Sequence, residues 1–250
     1  MEESDSDEEL IVIFAALAAA LVKDDPIPQH TSMLTGAMKY AELLANPNEK
    51  EFHVATHMPR HIFLSFLQRL TNDGGLKNGR LLCAGEKLVI FLQVVINYSN
   101  REAASNFQHS GSTVSKVFKQ VKTAILNIGS SIVVASSADD DVPQRITRSS
   151  DFWPWFQFCI GCFDGTHVPA VIPIDEQGPF RNRKGFISQN VFAACNFDEV
   201  FTFVLAGWEG SAHDAQVLAD AILKGFPIIP GRYYLGDAGF ALTQCKNQKS

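Results

Sequence analysis

Two aspartates, each at the end of a short apolar segment, are the residues best suited to metal chemistry. Asp164 ends Cys159-Ile-Gly-Cys-Phe-Asp164, and Asp237 ends Arg232-Tyr-Tyr-Leu-Gly-Asp237. Neighbouring carboxylates at strand ends repel each other unless cations lie between them, and two bound Mg²⁺ or Mn²⁺ ions promote phosphoryl transfer. The pattern therefore predicts a divalent-metal site. On spacing alone, Asp164 before Gly165 also fits an ordinary turn residue.

The periodicity around the two aspartates predicts an α/β layer arrangement of order β-β-β-α-β. The expected strands are Phe156–Asp164, Asn190–Asn196, Val200–Gly207 and Arg232–Leu235. The middle two form a hairpin, and a helix over Asp214–Phe226 follows them. We expect the last strand to return beside the first and to bring both aspartates to one edge of the sheet. Two strand-end carboxylates separated by a hairpin and a helix are typical of an RNase H-like metal nuclease.

Further polar residues lie near the two aspartates in the chain. Asp214 is a third candidate carboxylate, although Ser211 or Asp214 also suits the role of a helix cap. His167 and His213 are candidate ligands, with structural hydrogen bonds as the alternative. A basic loop precedes the hairpin, and it either clamps a phosphate backbone or forms a plain surface turn. Its cations are Arg181, Arg183 and Lys184.

The first half of the chain is helical in pattern and locally basic. Net charge is −6 overall, but residues 52–125 carry nine Lys and Arg against three acids, a net of +6. A short helix Arg101–Gln108, a turn at His109-Ser110-Gly111 and a helix that Ser112 caps and that runs to Leu126 form a helix-turn-helix pattern. An ordinary helical hairpin is the alternative. The residues expected to face DNA are Thr113, Ser115, Lys116, Lys119 and Lys122.

Four segments follow from these patterns. Residues 1–50 hold an acidic tail (1–9) and N-terminal helices, including the apolar Leu10–Lys23. Residues 51–128 form the helical DNA-binding domain, 129–150 a linker rich in Ser and Asp, and 151–250 the α/β domain. The five cysteines show no disulfide framework, which favours a reducing compartment. Cys159 and Cys162 are not expected to form a zinc site, because no second Cys/His pair follows at a suitable spacing. No apolar run reaches membrane length.

Four ordered motifs resemble the PIF/Harbinger transposases, which carry a DDE superfamily endonuclease domain. The motifs begin at Gly161, Asn182, Gly207 and Tyr233 and cover about residues 150–240. The resemblance implies an RNase H-like fold and cleavage and strand transfer of DNA that depend on Mg²⁺ or Mn²⁺. Asp164 matches the first family aspartate, and Asp214 and Asp237 match further acidic positions. We take Asp164 and Asp237 as catalytic, with Asp214 as an additional metal or supporting residue.

The resemblance also implies partners and a location. DNA, as transposon ends or genomic target, is the expected partner, together with an accessory DNA-binding protein and a second copy of the chain. The expected location is the nucleus if the host is eukaryotic. The family's final glutamate has no counterpart, since no acid follows Asp237. We therefore expect an incomplete RNase H-like domain and an inactive, truncated enzyme. The alternative is a non-catalytic DNA-binding protein derived from a transposase.

Overall fold

The computed structural model describes Phe14, residues 30–96 and residues 98–240. Contacts divide the chain into two compact units, Met1–Ile125 and Leu126–Ser250. The expected acidic tail lies outside the described residues, as does the helix Leu10–Lys23 apart from Phe14. Within the described part of the chain, no helix is long and apolar enough to cross a membrane.

The described part of the first unit consists of helices. They are α1 (Gly36–Ala45), α2 (Glu49–Thr56), α3 (Arg60–Asn72), α4 (Ala84–Val95), α5 (Asn100–Phe107) and α6 (Gly111–Gly129), whose last turn belongs to the second unit. The helical pattern expected for this half of the chain is observed, and α5 and α6 lie at the two helices expected on either side of the His109-Ser110-Gly111 turn. Helix α2 follows Asn48, whose side chain accepts a hydrogen bond from the backbone N–H of Lys50 at 3.1 Å and caps the helix.

Helix α4 is the centre of the first unit, and most of its residues are buried. Its apolar residues do not follow a single stripe, since Leu88, Val89 and Ile90 are consecutive and fully buried. A helix that is apolar on several faces has to be surrounded by other helices. Phe91 meets Phe118 of α6 with ring centroids 4.9 Å apart. Helix α4 therefore holds α6 in place.

The α5–α6 connection is a tight turn. Ser99 and Glu102 form a capping box at the start of α5, and Gln108 adopts a left-handed conformation after its end. The expectation that Ser112 caps α6 is wrong. The helix begins at Gly111, and the Ser110 hydroxyl accepts from the backbone N–H of Thr113 at 3.3 Å. The cap lies two residues earlier because the turn is shorter than predicted.

The second unit is built on a four-stranded sheet. Its elements are α7 (Gln144–Thr147), β1 (Cys159–Pro169), a 3₁₀ turn (Ile174–Glu176), α8 (Gln177–Phe180), β2 (Ser188–Cys195), β3 (Phe201–Glu209), α9 (Asp214–Leu223) and β4 (Tyr233–Gly236). The strand order is β3-β2-β1-β4, with β1–β4 parallel and the other pairs antiparallel. The predicted order β-β-β-α-β and the return of the last strand beside the first are confirmed.

Helix α9 covers one face of the sheet with a small aromatic core. Val217, Leu218 and Ala221 of α9 pack with Phe192 and Ala194 of β2. Phe163, Phe226 and Phe240 complete the cluster, with the rings of Phe163 and Phe240 edge to face at 5.1 Å between centroids. This core fixes the face of each strand that points to the helix.

The expected position of Asp164 at the end of a strand is wrong. Strand β1 begins at Cys159 rather than Phe156 and continues five residues past Asp164 to Pro169. The physical reason is pairing with β2, which runs from Cys162 opposite Cys195 to Pro169 opposite Ser188. Asp164 therefore lies inside a strand, and it is not a turn residue.

The segment expected to be a linker, residues 129–150, has structure of its own. It contains α7, and Ile146 is buried. The Arg232 guanidinium donates to the carbonyl oxygens of Ala138 and Asp140, each at 3.0 Å. The segment is thus packed within the second unit, to which it belongs, while the predicted domain limits stay a prediction.

Candidate active site

Asp164 lies in β1, and Asp237 directly follows β4, the parallel neighbour of β1. In the β1–β4 register Cys162 is opposite Leu235 and Phe163 opposite Gly236, so Asp164 and Asp237 are the next residues along. Both aspartates are exposed. Asp164 Oδ1 accepts from the N–H of Gly165 at 2.7 Å, and Asp237 Oδ1 accepts from the N–H of Ala238 at 2.5 Å. The fold therefore brings these two predicted residues together.

The alternation of β1 separates Asp164 from the helix-covered core. Phe163 packs on Phe192 with centroids 5.2 Å apart, and Gly165 is paired directly with Phe192. Successive side chains of a strand point to opposite faces. Asp164 therefore lies on the face turned away from α9, together with Cys162 and Thr166. We call this surface the Asp164 face.

Asp214 reaches the other face of β1. A Cβ on Gly165 would lie 3.8 Å from Asp214 Oδ1, and a Cβ on Gly239 would lie 2.9 Å from Asp214 Oδ2. The carboxylate is thus held between β1 and the loop after β4. The cap of α9 is His213 without a side-chain hydrogen bond, so the capping role considered for Ser211 or Asp214 is not observed.

Asn190 is a buried polar residue that the sequence analysis missed. It is 2 % exposed, and its Oδ1 has no hydrogen-bond partner. A Cβ on Gly165 would lie 3.3 Å from this oxygen. Gly165 therefore leaves open a space that Asn190 Oδ1 and Asp214 Oδ1 border. The available signal was the alternation of β2, in which Ser188 and Asn190 share the buried face with Phe192.

The donors fit a hard divalent cation by their chemistry, since Mg²⁺ and Mn²⁺ prefer carboxylate oxygens. Asp164 and Asp237 are the two that directly follow the last β1–β4 register pair, Phe163 opposite Gly236. Over residues 30–96 and 98–240, however, no group of three or more His, Cys, Asp or Glu is arranged to hold a metal ion. The candidate carboxylates of these residues therefore do not form a three-carboxylate cluster.

The basic loop before β2 is organised by Asn182, which is buried. Its Oδ1 accepts from the N–H groups of Lys184 at 3.0 Å and Phe186 at 3.3 Å, and its Nδ2 donates to Ser188 Oγ at 3.0 Å. The Arg183 guanidinium donates to His213 Nδ1 at 3.3 Å. Arg183 therefore lies beside the first turn of α9, and its partner His213 directly precedes Asp214 in the sequence.

Arg181 and His167 make local contacts in the loop and the sheet, while Lys184 is exposed. Arg181 donates to the carbonyl oxygen of Gly185 at 2.7 Å and stays exposed, as does Lys184. His167 Nδ1 lies 3.2 Å from Ser188 Oγ. His213 accepts the hydrogen bond from Arg183. Both histidines therefore make structural hydrogen bonds, which was the alternative to metal binding considered for them.

The predicted DNA-facing residues of α6 form an exposed surface of the first unit. Val114, Val117 and Val121 are buried on one side. Thr113 is half-buried, and the exposed members are Ser115, Lys116, Lys119 and Lys122. The structure thus places four of the five in solvent, on the helix that follows the tight turn.

Two family profiles match parts of the chain. Residues 163–249 match the DDE superfamily endonuclease family. Residues 31–127 match a domain of unknown function (DUF8040). No curated protein and no solved structure matches the chain significantly. The first match supports a DDE transposase-type domain in the second unit, a mixed α/β nuclease domain of transposase origin for which DNA is the implied substrate.

Proposed function

We propose that the second unit carries a divalent-metal site for phosphodiester chemistry on DNA. Asp164 and Asp237 hold the metal in this proposal and are the catalytic residues. The observation that carries the proposal is the parallel β1–β4 register, whose last pair is Phe163 opposite Gly236, each directly followed in the sequence by one of these aspartates. The match to DDE superfamily endonucleases over residues 163–249 supports it. The four motifs favour the PIF/Harbinger subtype and an RNase H-like fold.

The protein's own groups have separable tasks in this proposal. Asp164 and Asp237 hold Mg²⁺ or Mn²⁺, which when bound supplies charge neutralisation and activation of the attacking oxygen. Asp214 supports the site from the α9 face, where it fills the space between Gly165 and Gly239. Arg181, Arg183 and Lys184 contact the DNA backbone, because all three are exposed and Arg183 lies next to the first turn of α9.

A second candidate function is DNA binding without turnover. Two observations favour it: Lys116, Lys119 and Lys122 are exposed on α6, and no three-residue metal cluster is formed among the described residues. Helix α6 would then act as the recognition helix of a helix-turn-helix, with Thr113 and Ser115 near the bases. We propose low turnover, because no group of three potential metal ligands forms among the residues that the structure describes.

One experiment separates the two functions. Binding of a labelled DNA duplex and nicking of supercoiled plasmid are measured with Mn²⁺ for the wild type, for Asp164→Asn and for the control Asp198→Asn. Asp198 is exposed in the β2–β3 turn, at the other end of the sheet. Nicking above the Asp164→Asn background establishes the nuclease. DNA binding without such nicking establishes the second function, and the absence of both contradicts the two proposals.

A further inference from the structure

Cys162 and Cys195 face each other across strands β1 and β2. They are paired directly in the antiparallel register, and their Sγ atoms are 3.3 Å apart. Both are free thiols. Directly opposed residues of an antiparallel pair have Cα atoms roughly 4.5–5.5 Å apart, which lies within the range of about 4.4–6.8 Å found for disulfides. Side-chain rotation alone therefore suffices to bond the two sulfurs.

We propose that Cys162 and Cys195 form a reversible cross-strand disulfide, a redox modification site on the Asp164 face. Cys162 is exposed and open to a small oxidant, and Cys195 is half-buried beside it. The bond would lie two residues before Asp164 on the same side of β1, and would fix the spacing of β1 and β2 there. The inference does not depend on the proposed function, since it uses only the strand register and the two thiols.

The other described cysteines differ in position. Cys159 is 1 % exposed and donates its S–H to the carbonyl oxygen of Gly161 at 3.4 Å. Cys83 belongs to the first unit, where its sulfur accepts from the N–H of Glu86. Among the cysteines that the structure describes, Cys162 and Cys195 are thus the pair in contact.

The chemistry is a thiol–disulfide exchange with a small disulfide such as oxidised glutathione. The Cys162 thiolate attacks one sulfur of oxidised glutathione, its S–S bond breaks, and one glutathione leaves as a thiolate that takes up a proton. The Cys195 thiolate then attacks Cys162 Sγ and displaces the second glutathione. The two protein thiols lose two electrons and two protons, and one oxidised glutathione becomes two reduced molecules.

The test is peptide mapping of the folded protein after oxidation. The protein is treated with oxidised glutathione at about pH 8.5, where more thiolate is present, its free thiols are blocked, and trypsin digests it without reductant. Cys162 and Cys159 lie in the tryptic peptide 149–181, and Cys195 is the one cysteine of peptide 185–224. We expect these two peptides to be linked, and the link to disappear with dithiothreitol.

Two serine variants identify the sulfur involved. Cys162→Ser should reduce the linked product by at least about tenfold, because Cys162 Sγ is the atom within bonding reach. Cys159→Ser should retain the link at the wild-type level. Circular dichroism confirms that both variants are folded. A wild type without the linked peptides, or a link that survives Cys162→Ser and is lost in Cys159→Ser, overturns the proposal.

Discussion

At the scale of single residues, burial and pairing decide what each polar group does. Asp164 and Asp237 could be chosen from the sequence because an acid after a short apolar run is a recognisable pattern. The burial of Asn190 could be inferred from the alternation of β2, but its position beside Gly165 and the Cys162–Cys195 pairing could not, because both depend on a neighbouring strand. Register is a tertiary property that the local pattern of one strand does not contain.

The buried pair of Glu86 and His109 is a second contact that the sequence did not reveal. Glu86 is fully buried, its Oε1 lies 2.8 Å from His109 Nε2, and its Oε2 has no partner. The pair joins α4 to the turn between α5 and α6. Removing one member of a buried pair leaves an uncompensated polar or charged group in the core.

We therefore predict that His109→Ala lowers the free energy of unfolding by about 3 kcal/mol, because Glu86 loses its partner. The measurement is urea unfolding followed by circular dichroism. His61→Ala is the control, since His61 is exposed on α3, and its effect should stay within about 0.5 kcal/mol. Equal effects of the two substitutions would show that the buried pair does not stabilise the turn.

At the scale of elements, strand order followed from periodicity, but strand limits did not. The apolar run ending at Asp164 suggested a stop there, whereas the hairpin partner β2 extends β1 to Pro169. The polar residues Thr166 and His167 belong to β1 because they pair with Val191 and Asn190 of β2. Pairing overrides local composition in an antiparallel strand.

Helix α9 is tied to β3 through one carboxylate. Asp220 Oδ2 accepts from Lys224 Nζ and from Trp208 Nε1 on β3, each at 2.8 Å. The hydrogen bond from Lys224 and then that from Trp208 hold the pKa of Asp220 below its usual value. Because the pKa is lower in the folded state, this contact stabilises the protein above the unfolded-state pKa and is lost as pH falls through the folded-state pKa.

The corresponding prediction compares the melting temperatures of Asp220→Asn and of the wild type, from mildly acidic to strongly acidic pH. The variant should melt below the wild type at mildly acidic pH, and the difference should vanish once Asp220 is protonated in the folded protein. Asp175→Asn, an exposed acid of the 3₁₀ turn, should show no such pH-dependent difference. A difference for Asp220→Asn that is constant with pH would mean that its charge does not matter.

At the scale of the whole molecule, an acidic chain contains a helical unit with a basic segment, residues 52–125, and a sheet unit with candidate catalytic aspartates. The net charge of −6 alone argued against nucleic-acid binding, while its distribution favoured it. Four segments were predicted, and their limits stay a prediction, whereas contacts divide the chain at Ile125/Leu126, inside α6. The sequence could not show where the two units divide, because one continuous helix carries residues of both units.

DNA affinity of the whole chain should depend on salt through α6. Replacing Lys116, Lys119 and Lys122 by Ala should make the slope of log K against log salt less negative by about 2.7, at about 0.9 per phosphate contact. Fluorescence anisotropy of a labelled duplex gives the slope. The control replaces the exposed Lys50, Lys77 and Arg80 by Ala. An equal change in both triple variants would remove the specific role of α6.

The central claim is that Asp164 and Asp237 belong to one divalent-metal site, and Mn²⁺ calorimetry tests it most directly. The wild type is compared with Asp164→Asn, Asp237→Asn and the control Asp198→Asn, each checked for folding by circular dichroism. We predict Mn²⁺ binding that is retained in Asp198→Asn and lost in both other variants, because each removes half of the carboxylate pair. Absence of binding in the wild type, or unchanged binding in either Asp164→Asn or Asp237→Asn, would contradict the claim.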